Sequence, residues 1–546
     1  MNPDLQGQFM QKQVVAISFD ALSPVLLEMQ VAAGRMPNFA RLMADGVYGH
    51  LRKAPMHLHE NSWSAFLVGA SPQRTGEWGH LSYDPGNYGF RELSDYPNIY
   101  APPFYCLEPK PRVAVFDIPI TRVEPAADGI QLFGWSIESN QFLRQASDPA
   151  LLEEFGTRYG DHPVFGVLET RKLANADGSM VYSYRNPSLY DLPALLAASR
   201  ALIAGMAQRS RIIGDLLRRE PWDLLLATYG EIHTIGHLVW HLGMPHPLRD
   251  AYQKSLAGAQ PLQDALDAVD REVGALMAML PEHATLVLFS VYGMNAINSD
   301  MAQMLFLPEF LYRWQFGEAA LASGDPAAPV PDPCIDYRRH WKTEVWALRT
   351  AAGERDLESP EALAARGDPI DWNPTRWYQS LWPRMKAFSL PAYYNGLVRL
   401  NVRGREGAGV VDARDYGREC DSLAEALLGM VDARSGRPMI SKVERMRHDP
   451  FDEAGHCPAD LVVHWAAIPP VDTVQAPGIG RIGPVPYFRS GGHAPSGFCV
   501  MRGPGITPGS RLPADAQVVD LPATLLELMG RKIPAHMEGR SLFRSG

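Results

Sequence analysis

The sequence predicts an α/β protein built on a mostly parallel central sheet with helices on both faces. Three observations predict it. Short apolar runs alternate with longer helical patterns along most of the chain, which is the rhythm of βα units. The runs KQVVAISF (12–19) and ATLVLFS (284–290) read as buried strands. Ionisable residues stand just past the ends of such runs, at Asp20 and Glu231. In sheets of this kind functional groups gather at the carboxyl ends of strands.

Each element follows in order. The first strand ends at Asp20, and a helical segment follows it. In PNFARLMADG, Pro37 suits the start of a helix and Gly46 lies just past its end. VAVFDI (113–118) reads as another strand, and a long helical pattern spans about 193–219. WDLLLATYG (222–230) is a strand, a helix lies around 258–280, and the strand 284–290 closes the series. Residues 301–392 depart from this rhythm. They contain DPAAPVPDPC, many Trp and Tyr, and weaker βα spacing. They are expected to form an inserted cap. Residues 1–300 and 393–546 are then the α/β core, with regular signals returning at YYNGLVRLNVR (393–403). WNPTRWYQSLW (372–382) offers aromatic surface for anchoring the cap to the core or lidding a pocket.

Composition narrows the function classes. Of the 546 residues 46% are hydrophobic and 21% charged, the profile of a folded protein with a large core. The net charge is −10 and no Lys/Arg-rich block occurs. That argues against a general nucleic-acid binder and leaves a small-molecule substrate as the expected partner. The five cysteines are scattered and form no CxxC pair, so a reducing compartment is expected. No run of 18 apolar residues and no signal-peptide pattern is present, which predicts a cytoplasmic protein without a membrane partner. A homo-oligomer is compatible with this composition.

The segment GEIHTIGHLVWHL (230–242) holds the clearest chemistry. His233 and His237 are four apart and share one face of a helix. His241 lies two turns beyond His233, where helical drift makes it a weaker partner. Imidazole suits Zn, Fe, Cu and Ni. In MHLHENSW, His57 and His59 point to one side of an extended segment. Glu60 and Glu231 are candidates for acid/base work or for supporting a ligating histidine.

Four stretches resemble the alkaline phosphatase superfamily, and within it the type I phosphodiesterase/nucleotide pyrophosphatase group. They are SFDALSPVLLEMQVAAGRMPNFARLMADGV; SWSAFLVGASPQRTG (62–76); LVRLNVRGREGAGVV (397–411) with PADLVVHW (458–465); and GGHAPSGFCVMRGPGI (491–506) with VVDLPATLLELMGRKIPAHMEGRSLF. The resemblance covers most of the chain outside the expected cap. It implies an alkaline phosphatase-like core and a site that normally holds two zinc ions around a phosphoryl group. It maps Asp20 to the first-strand metal ligand, His237 to the His of a DxxxH pattern, and His493 to the late His. His233 stands where that pattern carries Asp. His59 stands at the nucleophile position, although a small register shift would bring Ser62 there. Val291 and Tyr292 stand where an Asp-His pair is expected.

These departures leave one carboxylate, Asp20, where the pattern implied by the resemblance has three. Two adjacent zinc ions would repel strongly in such a site. The expectation is therefore one divalent metal per chain, held by His233, His237, His493 and Asp20, with zinc the best match and iron an alternative. A three-histidine site with an open position can activate water near neutral pH. His59, Glu60 and Glu231 are the candidate catalytic groups; Tyr292 and His57 are candidates for contacting substrate. The expected function is hydrolysis of a phosphodiester, pyrophosphate or phosphonate-type small molecule. Two other classes stay open: a repurposed mononuclear metalloenzyme (non-heme iron oxygen chemistry, or a lyase or isomerase), and a non-catalytic binding module.

Overall fold

The computed structural model describes residues 13–52, 61–79, 81–92, 100–135, 144–174, 180–296, 299–333, 337–368, 370–452 and 457–543. Its centre is a nine-stranded sheet. In chain order the strands are β1 (Val14–Phe19), β2 (Val47–Arg52), β3 (Arg112–Phe116), β4 (Asp128–Phe133), β5 (Gln145–Ala146), β6 (Leu224–Tyr229), β7 (Thr285–Ser290), β8 (Ser496–Arg502) and β9 (Ser510–Arg511). Their spatial order is β9-β2-β8-β7-β1-β6-β3-β4-β5. The run β7-β1-β6-β3-β4 is parallel throughout. β8 pairs antiparallel with both β7 and β2, so the sheet is mostly, not wholly, parallel.

β1, β6 and β7 lie side by side at its centre, and every residue in them is buried. That explains their unbroken apolar sequences, because strands covered on both faces have no solvent side to alternate with. Helices α1 (Leu192–Arg219), α2 (Glu231–Gly243) and α3 (Pro261–Met279) pack against one another as they flank the sheet. α2 follows β6 after the single residue Gly230. The helix entry is therefore fixed by the end of the strand, at the edge where β1 and β7 also end.

The expected boundary at 392/393 runs through a sheet. Ala387–Leu390, inside the expected insertion, pairs antiparallel with Gly396–Leu400. Gly396–Leu400 in turn pairs with Leu461–Trp465, which pairs with Ile440–Arg445. The insertion thus shares a second four-stranded sheet with the chain after it. Its Trp-rich stretch forms a 3-10 helix, Pro374–Arg384, with Trp377 and Trp382 buried. Among the described residues no helix is long and apolar enough to cross a membrane.

Candidate metal centre

Three chain segments meet at the carboxyl ends of β1, β6 and β7. Asp20 directly follows β1, and its backbone N–H donates to the carbonyl of Tyr229 at the end of β6. α2 places His233 and His237 one turn apart on the same face. The strand Gly492–Ala494 pairs antiparallel with Gly293–Asn295, setting His493 opposite Met294 just beyond β7. The preceding residues strap this strand to α2: the Ser490 N–H and hydroxyl both donate to the His237 carbonyl.

The result is a convergence of three imidazoles. His233 Nε2 lies 2.9 Å from His237 Nε2 and 2.7 Å from His493 Nε2. His237 Nε2 and His493 Nε2 are 3.1 Å apart. All three residues are buried. The far nitrogens fix the protonation. His237 Nδ1 lies 2.7 Å from the Gly491 carbonyl, which can only accept, so Nδ1 holds the proton. His233 Nδ1 lies 2.8 Å from Asp20 Oδ2 and donates to that carboxylate. In neutral rings both Nε2 atoms then present lone pairs to each other at 2.9 Å. A neutral His493 has at most one proton on Nε2, which can serve only one of its two contacts. The lone pairs of the cluster repel unless a cation sits among them.

That donor set fits a small divalent ion. Zinc bonds imidazole nitrogen at about 2.0–2.1 Å, so tetrahedral ligands stand roughly 3.3–3.4 Å apart. The nitrogens here are a few tenths of an ångström closer and would relax outward on binding. Histidine ligands also usually have the other ring nitrogen bonded to a carboxylate or a backbone carbonyl. His233 has the first of these partners and His237 the second.

The structure brings together His233, His237, His493, Asp20 and Tyr292, with corrections to their expected roles. Asp20 does not join the three Nε2 atoms. Its Oδ2 faces the opposite nitrogen of His233 and accepts from the Tyr292 hydroxyl at 3.1 Å. Tyr292 is 5% exposed, with ring centroids 6.0 Å from His233 and 5.2 Å from His493. Val291 beside it is fully buried. His241 is also buried but stands apart, packed against the rings of His246 and Tyr252. Burial, reinforced by the neighbouring His246, pushes its pKa down to about 3, so it is neutral.

Glu231, expected as a catalytic candidate, belongs to a different cluster. Two residues along a helix turn through roughly 200°, so Glu231 and His233 leave α2 on opposite sides. Glu231 bonds Arg209 Nε at 2.9 Å and His162 Nε2 at 3.1 Å, and Arg209 pairs with Asp117 at 2.8 Å. All four side chains are buried. Burial alone raises the Glu231 pKa, but the Arg209 charge and the His162 bond outweigh it and hold it down at about 2. A sealed, ion-paired carboxylate anchors the start of α2. His57, His59 and Glu60 lie outside the described residues. Ser62, the alternative at the nucleophile position, begins the helix Ser62–Val68 and is buried.

Sequence reasoning missed the orienting Gly491 carbonyl, because a backbone group leaves no mark on the sequence. It also missed Arg209, His162 and Asp117, none of which sits in a recognisable spacing with Glu231.

The model of the family described as type I phosphodiesterase/nucleotide pyrophosphatase matches residues 14–457. Curated proteins give no match. Among solved structures the chain is similar to phosphonoacetate hydrolase from Sinorhizobium meliloti 1021 in complex with phosphonoformate. The identity is 12% over 95% of each chain, with a TM-score of 0.45. It is also similar to human ectonucleotide pyrophosphatase/phosphodiesterase 5, with 11% identity over 96% of each chain and a TM-score of 0.45. The family match spans most of the sheet and the helix that bears His233 and His237, and the chain belongs to the type I phosphodiesterase/nucleotide pyrophosphatase family.

Proposed function

We propose that this chain is a metal-dependent hydrolase of a phosphodiester, pyrophosphate or phosphonate-type small molecule, working with one divalent ion, zinc being the best match. The observation behind this reading is the convergence of three Nε2 atoms within 3.1 Å, two of them left with lone pairs by their hydrogen bonds on the other side. His233, His237 and His493 hold the ion. When bound, it supplies a Lewis acid that polarises a phosphoryl oxygen and acidifies water.

The chain's own residues set the conditions for that chemistry. Three neutral ligands leave the metal's charge undiminished. Asp20 fixes the His233 ring through Nδ1, and the Gly491 carbonyl fixes His237 in the same way. Tyr292 occupies one lone pair of the Asp20 oxygen that faces His233. Val291 contributes no donor where the resemblance implies a ligand, which leaves few groups to hold a second ion beside Asp20. This favours one metal rather than two.

The test is hydrolysis of a panel of phosphodiester, pyrophosphate and phosphonate compounds by wild type and His237→Ala, both loaded with zinc. The reading expects turnover of at least one class by wild type and its loss in the variant. Turnover unchanged by His237→Ala would remove the metal role assigned here.

A further inference from the structure

The backbone around Tyr292 is fixed on both sides. The residue lies between β7 and the strand Gly293–Asn295, which pairs with the His493 strand. The Ser290 hydroxyl donates to the Tyr292 carbonyl. The Tyr292 ring stands edge-on to His233 and to His493, with interplanar angles of 77° and 65°. From there its hydroxyl donates to Asp20 Oδ2 at 3.1 Å, the same oxygen that accepts from His233 Nδ1 at 2.8 Å. Asp20 Oδ1 is buried and accepts no hydrogen bond among the described residues. Both donors therefore load one oxygen of a carboxylate that is 1% exposed.

We propose that Tyr292 is a positioning residue that acts through Asp20 to weaken His233 as a metal ligand. The inference rests on the metal-dependent hydrolase reading above and deepens it by assigning what keeps the ion's charge available. A carboxylate that accepts from the far nitrogen of a ligating histidine makes that ring a stronger donor to the metal. Two donors on a single oxygen compete, because each draws electron density away from the other's bond. The Tyr292 phenol thus withdraws part of what Asp20 lends to His233. The effect is amplified in a buried site, where hydrogen bonds are electrostatically stronger than in water. The ion is held less tightly and stays more electron-poor, which is the condition for polarising a phosphoryl oxygen. The residue type suits this role. A phenol O–H donates to the carboxylate without bringing a cationic charge toward the ion.

The experiment replaces Tyr292 by Phe and, through genetic encoding, by a ring-fluorinated tyrosine whose phenol is the stronger donor. Zinc affinity of each protein is measured by competition with a chelator. The His233 Nδ1–H resonance is read by NMR on isotope-labelled histidine and assigned by its loss in His233→Ala. The proposal expects Tyr292→Phe to bind zinc about threefold or more tighter, less than the 10–100-fold typical of changing a ligand's direct partner, because Tyr292 is one bond further from the metal. The fluorinated protein should bind zinc less tightly than wild type. The resonance should move downfield in Tyr292→Phe and upfield in the fluorinated protein, as the His233–Asp20 bond strengthens and weakens. Fluorination changes the ring by a single small atom, so it reads donor strength even where Tyr292→Phe fails to fold. A phenol that only fills space would leave the fluorinated protein like wild type and make Tyr292→Phe bind zinc less tightly; either result overturns the proposal. Equal zinc affinity in all three proteins overturns this proposal and leaves the hydrolase reading standing. A wild type that binds no zinc overturns both.

Discussion

At the scale of single residues, two carboxylates with similar sequence positions do different work. Asp20 and Glu231 both follow strand ends, and from sequence either could face the site. What separates them is direction. Asp20 reaches His233 Nδ1, while Glu231 leaves the opposite side of α2 and meets Arg209. Asp20→Asn is expected to weaken metal affinity by roughly 10–100-fold, as losses of such supporting carboxylates do. Competition with a chelator measures it, and unchanged affinity would mean that Asp20 does not tune the ligand. Glu231→Ala leaves Arg209 only partly compensated in a sealed site and should cost about 3–5 kcal/mol, read by denaturant unfolding. The pH dependence has a definite sign. The folded Glu231 pKa is about 2, below its usual 4.5. A depressed carboxyl contributes stability that is present above the unfolded pKa and lost as pH falls through the folded one. Wild type should therefore lose this contribution between about pH 4.5 and pH 2, and Glu231→Gln should flatten that part of the profile.

At the scale of elements, the site depends on how closely the strap approaches α2. A Cβ on Gly491 would meet the Gly236 carbonyl oxygen at 2.5 Å. Backbone cannot yield as a flexible side chain can, so Gly491→Ala should push the strap off the helix. The expected result is weaker metal binding with the far-ultraviolet spectrum retained; normal affinity would show that the strap is more pliable than this packing implies. Strong local patterns were readable at this scale. The buried runs of β1, β6 and β7 and the four-residue spacing of His233 and His237 are consequences of local geometry, and they appear in the sequence directly. The second sheet was only partly readable: Ala387–Leu390 and Gly396–Leu400 pair across a short connection, but Gly396–Leu400 finds Leu461–Trp465 far along the chain. Pairing over such separations has no local signature. The Tyr292–Asp20 hydrogen bond is hidden for the same reason, since its members are 272 residues apart.

At the scale of the whole molecule, the cluster joins segments from the start, middle and end of the chain. Asp20 directly follows the first strand, α2 follows the sixth, and His493 lies a few residues before the eighth. An ion that binds these groups together binds the folded state and not the unfolded one, so it stabilises the fold by linkage. Stripping the protein with a chelator should lower its melting temperature, and adding zinc back should restore it. A midpoint indifferent to both would place the histidines outside any metal role. The family resemblance made the register of His237 and His493 legible in advance. It could not reveal that Asp20 turns toward an imidazole, because that depends on Tyr292 and His233 meeting in space. The most direct measurement is elemental analysis of protein purified without chelator, on wild type and on His233→Ala. The account predicts one divalent ion per wild-type chain and a marked loss in the variant; two ions per chain, or one ion retained in full without His233, would contradict it.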